Sequence, residues 1–126
     1  MKKTFIHLRT LSSYSLSESA LKIKDIVSLA KKNNMPAIAL TDNNNMFGAL
    51  EFSIECVLNG IQPIIGASIN FLDVQIKNKI SQLTFLVKNE EGYKNLIHLT
   101  SKAHIADNHT TGIYLKDLKG YTEGLY

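Results

Sequence analysis

Met35-Pro36-Ala37-Ile38-Ala39-Leu40 is the stretch that most limits what this chain can fold into, because it is an unbroken apolar run with no alternation. Successive side chains of a strand point to opposite faces, so a strand with one wet face alternates apolar and polar residues. A run without alternation is the pattern of a parallel strand covered on both faces, and parallel strands need helical crossovers. Helical periodicity lies on both sides of it. From about Leu21 to Lys32, Ile23, Ile26, Val27 and Ala30 fall at i, i+3, i+4, i+7, with Lys22, Lys24, Asp25, Lys31 and Lys32 on the remaining face and Asn33-Asn34 as the stop. After Thr41-Asp42-Asn43-Asn44-Asn45 a second helix is expected from about Met46 to Leu58. Ala49, Phe52, Ser53 and Cys56 share one of its faces, Leu50, Ile54 and Val57 lie beside them, and Asn59-Gly60 ends it. A further strand follows from Gln62 to Phe71, with Pro63 near its start, where a missing donor costs least. The order strand, helix, strand gives an α/β fold class.

The flanks extend this pattern. Thr4 to Thr10 is β-rich and reads as a first strand running into the loop Ser12-Ser13-Tyr14-Ser15, whose hydroxyls suit turns and caps. Around 75–79 the chain is a polar connection, and Gln82 to Val87 reads as a fourth strand with Leu83, Phe85 and Val87 on one face. Asn89 is placed to cap a helix whose first turn carries Glu90 and Glu91, and Tyr93, Leu96, Ile97, Thr100 and His104 fall on a shared side. Beyond the polar stretch 106–112, Tyr114, Leu115 and Leu118 are read as one short helix. Glu123-Gly124-Leu125-Tyr126 reads as the start of a strand left incomplete, so the chain is expected to be one partial domain, 1–126, cut from something longer.

Composition excludes several classes. With 126 residues, 44% hydrophobic and 20% charged, the chain can build a core. Thirteen of its fourteen cations are Lys, and only Arg9 offers the planar fork favoured for phosphate and base recognition, so a net charge of +3 does not license a nucleic-acid partner. A single cysteine, Cys56, excludes a disulfide scaffold and a thiolate zinc site. No window approaches the ~18 apolar residues of a membrane span. Met1-Lys2-Lys3 is not followed by an apolar signal core, and a soluble cytoplasmic protein is the expectation.

Catalytic groups of parallel α/β folds sit at strand carboxyl ends, here Arg9 to Ser13, Thr41 to Asn45 and Ala67 to Asn70. A metal cluster would need His and carboxylates converging there. The positions offer Asp42 alone, among Arg9, Leu11, Asn43 and Ser68, and one carboxylate beside a guanidinium does not hold a divalent ion tightly. Asp42 therefore reads as a cap or turn carboxylate at the strand-to-helix junction. His98 and His104 are six apart, not at the i, i+4 spacing of a ligand pair, and His109 lies in a loop, so surface or cap roles are expected for all three. His7, in the middle of the first strand, reads as packed or hydrogen-bonded, and Cys56 as a buried thiol acting as a small hydrophobe. There is no nucleophile elbow, dinucleotide-type glycine loop or phosphate-cradling Gly-Lys pair.

Four ordered blocks carry a resemblance: Phe5 to Leu16, Met35 to Phe52, Gly60 to Ala67 and Leu83 to Leu96. Together they resemble the polymerase and histidinol phosphatase (PHP) family, in the form found at the N-terminus of bacterial replicative DNA polymerase III alpha subunits, over nearly the whole chain from Phe5 to Tyr126. The resemblance implies the N-terminal part of a distorted (β/α) barrel, truncated before closure, with exposed strand edges that invite dimerisation or swapping. Active members hold a metal cluster for phosphoester hydrolysis, with His-x-His after the first strand, Asp-His after the second and Glu after the third. Here those positions are Arg9 and Leu11, Asp42 and Asn43, and Ser68, so only Asp42 keeps its ligand. The implied segment is a degenerate, metal-free and catalytically inactive scaffold and a docking site for the proofreading exonuclease subunit, with no cofactor of its own. The implied full-length protein is a DNA-directed DNA polymerase that binds DNA, uses magnesium and works in the cytoplasm with the remainder of the alpha subunit and the replisome, without a membrane. Two alternatives stand beside it: a stand-alone metal-dependent PHP phosphoesterase, which would need the His-x-His that Arg9 and Leu11 replace, and a small independent αβ binding protein.

Overall fold

The computed structural model describes residues 5–72, 80–105 and 111–126, with the side chains of 16–18 outside the description. The expected polar connection 75–79 and His109 lie outside the described residues. Within them the helices are α1 (Ile23–Lys32), α2 (Ala49–Leu58) and α3 (Glu90–Ile105), and the strands are β1 (Ala37–Leu40), β2 (Gln62–Leu72) and β3 (Ile80–Leu86). Short 3-10 helices span Ser13–Glu18 and Leu115–Leu118, the second where a short helix was expected.

The strands form one sheet in the order β1-β2-β3. β1 is buried along its whole length, as its unbroken apolar run requires, and runs parallel to the first part of β2, Ala37 opposite Gln62 and Leu40 opposite Ile65. Helix α1 covers it through Ile23, Ile26, Val27 and Ala30, the predicted stripe, which joins Ile38, Leu40, Phe52, Cys56 and Ile61 in one core. Each of the larger side chains contributes roughly 1.5–3 kcal/mol by leaving water. The helix stops at Asn34, whose φ of 55° is the left-handed conformation that asparagine tolerates.

The remainder of β2 pairs with β3, and here the direction reverses: Gly66 to Leu72 lie antiparallel to Leu86 to Ile80. β3 returns as a hairpin partner instead of crossing over, so the sheet is mixed, an open and distorted part of a barrel. A second core forms on this part, from Ala67, Ile69 and Phe71 of β2, Leu96, Leu99 and Ala103 of α3, and Ile113. The chain end closes it. Leu125 bridges Val87, and Tyr126 exchanges both backbone bonds with Leu86, so the expected final strand pairs antiparallel with the end of β3. The Glu123–Leu125 turn lies on the start of α3: Asn95 Nδ2 donates to the Glu123 carbonyl, and a Cβ on Gly92 would overlap the carbonyl of Gly124.

Four expectations change. Phe5 to Thr10 runs beside β1, bends at Leu8 and is not a regular strand: the carbonyls of His7 and Thr10, three residues apart, accept from Ala39 and Thr41, two apart, and this one-residue mismatch breaks the ladder as a bulge does. His7 is accordingly exposed, its ring edge-on to that of Phe5 at 4.6 Å. Leu50, Ile54 and Val57 are exposed, and α2 buries only the Ala49, Phe52, Cys56 side. The buried stripe of α3 is Gly92, Asn95, Leu96, Leu99, Thr100 and Ala103, turned away from Tyr93 and Ile97 because the chain end packs on the Gly92 and Asn95 side.

Candidate functional site

The carboxyl end of β1 meets the middle of β2, because β2 runs eleven residues against four for β1. Ser68 is thus a mid-strand residue, fully buried, and not the strand-end residue the sequence suggested. The loop leaving β1 lies along this exposed flank of β2 and completes its pairing: Ser68 N donates to the Asp42 carbonyl, Asn44 N donates to the Ser68 carbonyl, and Asn70 N donates to Asn44 Oδ1. Asn44 adopts φ 55° to do this, and His104 Nε2 reaches its carbonyl at 2.7 Å, which requires the ring nitrogen to be the donor. Farther along β2, Ile113 takes over the pairing.

Asp42 is 1% exposed. Its Oδ1 accepts from Ser12 N and Ser15 Oγ, and its Oδ2 accepts from Ser12 Oγ, all at 2.6 Å. Each hydroxyl also accepts one backbone N–H, Ser12 Oγ from Tyr14 and Ser15 Oγ from Asn43. Each serine therefore passes one backbone proton inward and turns its own onto the carboxylate. This ties the turn at residues 12–15 to the end of β1 across about thirty residues of chain. Asp42 is not a local helix cap, since α2 begins at Ala49 with Gly48 before it. At the rim Tyr14 Oη donates to Glu51 Oε2 at 3.1 Å, and this bond, with the charge behind it, holds the Tyr14 phenol above its ordinary pKa.

Arg9 does not approach Asp42 in this network. Its Nη2 donates to Gln82 Oε1 at 2.7 Å, and Gln82 Nε2 donates in turn to Asn43 Oδ1 and Asn70 Oδ1 at 3.0 and 3.2 Å. Arg9 also lines an open cleft of about 390 Å³ against α1, with His7, Leu11, Leu29 and Met35. Ser68 Oγ donates to the Thr41 carbonyl at 3.3 Å and lies 2.9 Å from Thr84 Oγ1. Leu11 offers its carbonyl to Ser19 Oγ and no ligating side chain.

Of the five positions, Asp42 lies in the serine group and Arg9 and Asn43 in the Gln82 group, the two meeting where Asn43 N donates to Ser15 Oγ, while Ser68 bonds to Thr41 and Thr84 and Leu11 brings no polar side chain. One carboxylate with both oxygens already accepting, a guanidinium, one amide and one hydroxyl do not fit a divalent metal cluster. Among the described residues no three His, Cys, Asp or Glu side chains gather where an ion could sit. Cys56 is buried, and the loss of water around it pushes its thiol up to about 11, the inert state expected of it. His98 stacks on Tyr121 at 3.8 Å, outside the site. Sequence reasoning missed Gln82, Asn70 and the carboxylate-binding role of Ser12 and Ser15. The clustering of serines was visible, but their partner lies across a tertiary contact.

Comparison with known proteins places this geometry. DNA polymerase III subunit alpha of Rickettsia felis is 45% identical over 99% of the chain, and that of Borreliella burgdorferi 45% over 98%. The chain spans only 10% and 12% of those two relatives. Among solved structures, an amidohydrolase from Chromobacterium violaceum, determined with bound sulfate and no metal, superposes with a TM-score of 0.57 at 17% identity, covering 78% of this chain and 32% of that one. A protein assigned as a metal-dependent phosphoesterase from Bifidobacterium adolescentis gives 0.58 at 16% identity, covering 80% and 32%. At such identities they speak for the shared fold alone. The profile of the PHP domain matches residues 7–126, nearly the whole length, and the chain belongs to the PHP domain family.

Proposed function

We propose that this chain is the PHP segment of a DNA polymerase III alpha subunit and that it acts there as a scaffold, not as a hydrolase. The relatives at 45% identity support the first part. The second rests on one observation: the single acidic residue at the ligand positions, Asp42, is buried with three donors on its two oxygens and serves to hold the chain together. The full-length protein adds deoxynucleotides to a primer in the cytoplasm, with magnesium at a site outside this segment. The remainder of the alpha subunit packs against helix α2, which carries Leu50, Ile54, Val57 and Leu58 on its exposed side and is apolar nearly all round. The segment also docks the proofreading exonuclease subunit, whose hydrolytic work it does not duplicate.

Metal analysis and a phosphodiesterase assay on the purified chain test the scaffold reading. Background metal and no turnover are expected, and stoichiometric zinc or manganese with turnover would overturn it in favour of a PHP phosphoesterase. For docking, a pull-down of the complete PHP domain with the cognate exonuclease is expected to retain the exonuclease, and its failure to do so removes that role.

A further inference from the structure

The chain's net charge of +3 is small, but it is not spread evenly. Lys22, Lys24, Lys31 and Lys32 against Asp25 leave +3 on helix α1 and its N-cap, and the remaining ten cations and ten anions of the chain cancel. Lys24, Ser28, Lys31 and Lys32 fall at i, i+4, i+7 and i+8 and form an exposed side of the helix, turned away from the buried Ile23, Ile26, Val27 and Ala30. Among the described residues, none of the four lysines lies within ion-pair distance of a carboxylate. Helix stability does not account for them all. Lys31 and Lys32 stand in the last turn, where the helix dipole favours cations, but Lys24 stands in the first turn and Lys22 at the N-cap, where the dipole disfavours them. Lys22 also makes no side-chain cap bond, at a position that Ser, Thr, Asp or Asn fills better. Local preferences broken at neighbouring positions of one surface point to a role outside the fold.

We propose that the exposed side of α1 is a sequence-independent contact for the phosphate backbone of duplex DNA. Lysine carries a point charge with three rotatable donors, which neutralises a phosphate without demanding a fixed geometry, and the absence of arginine from this helix leaves no fork to read base edges. Lys24 and Lys31 lie about 10 Å apart along the axis at ~1.5 Å per residue, close to three steps of a DNA strand at ~3.4 Å each. An acidic protein is the poorer fit: Ser28 stands between these lysines, with no apolar anchor of the kind a protein interface buries at its centre. The buried stripe of α1 fixes the helix in the first core, so the charges are carried on a rigid element. That the backbone is DNA rests on the polymerase reading above; that α1 carries an anion-binding face does not.

The test is fluorescence anisotropy of a labelled DNA duplex titrated with the purified chain between about 50 and about 200 mM salt. Saturable binding is expected, weakening about fortyfold across that range if three phosphates are neutralised. The triple variant Lys24→Gln, Lys31→Gln, Lys32→Gln should bind at least about tenfold more weakly at the lower salt and lose most of the salt dependence, with unchanged circular dichroism. Lys88→Gln, Lys94→Gln, Lys119→Gln removes the same charge from exposed positions outside α1 and should leave the affinity nearly unaltered. Absence of binding at the lower salt, or equal losses in the two triple variants, overturns the proposal and leaves the polymerase and scaffold readings standing, since neither needs α1 to touch DNA. Displacement of the duplex by poly-glutamate at equal charge assigns the face to an acidic protein and overturns it as well.

Discussion

Asp42 and Asn43 are adjacent in sequence and belong to opposite kinds of site. Asp42 is sealed, with Ser12 N, Ser12 Oγ and Ser15 Oγ all donating to its carboxylate. Asn43 is half-buried, its oxygen bound to the exposed Gln82, which in turn accepts from Arg9. Because successive residues of an extended chain point to opposite sides, one step converts a structural anchor into an accessible surface. The difference teaches that a position at a strand end acquires its role from which side of the sheet end it faces, and not from its residue type alone.

The comparison can be broken first at its sealed half. Asp42→Ala strands a buried backbone N–H and two buried hydroxyls together, and is expected to cost about 3 kcal/mol or more in urea denaturation. A loss below ~1 kcal/mol would mean that the serines do not depend on the carboxylate. Ser15→Ala removes one bond to a charged acceptor and also leaves Asn43 N unpaired, for about 1.5–3 kcal/mol. Gln82→Ala, on the open half, should stay within about 0.5 kcal/mol, since its partners are already wet. If Gln82→Ala cost as much as Ser15→Ala, the two halves would be one structural network and the contrast would fail.

The smallest effect lies at the rim. Tyr14 donates to Glu51, and because that bond exists only while the phenol keeps its proton, its pKa is raised in the folded protein. The folded state then holds this proton more tightly than the unfolded one. The stability it contributes is complete below the unfolded value of ~10 and is lost as pH rises through the folded value. Ultraviolet titration of the phenol should place Tyr14 above an ordinary tyrosine, and Glu51→Gln should bring it back down. An unchanged titration in Glu51→Gln would remove Glu51 as the cause.

How much was legible differs between the two cores. In the first, Ile23, Ile26, Val27 and Ala30 were predicted to be the buried stripe and are, because Lys24, Asp25, Lys31 and Lys32 keep most of the rest of α1 in water and leave one continuous apolar stripe to face the sheet. In the second, α3 mixes small, polar and apolar residues around its circumference, and its orientation is set by the chain end that lands on Gly92 and Asn95. Likewise β3 reads as a strand from its own residues, but nothing local distinguishes a hairpin return from a parallel crossover.

At the site, the changes at Arg9, Leu11, Asn43 and Ser68 were visible as residue types, and with them the lack of ligating side chains. What those residues do instead was not visible. By itself the sequence determined the three helices, the buried parallel strand and the face of α1, since these depend on periodicities of a few residues that any local window contains. Tertiary structure alone decided the antiparallel turn of β3, the serine seal on Asp42 and the Arg9-Gln82-Asn43 group. Each of these joins residues distant in the chain, and hydrogen bonds between such residues follow from where the backbone has been folded, not from any spacing along it.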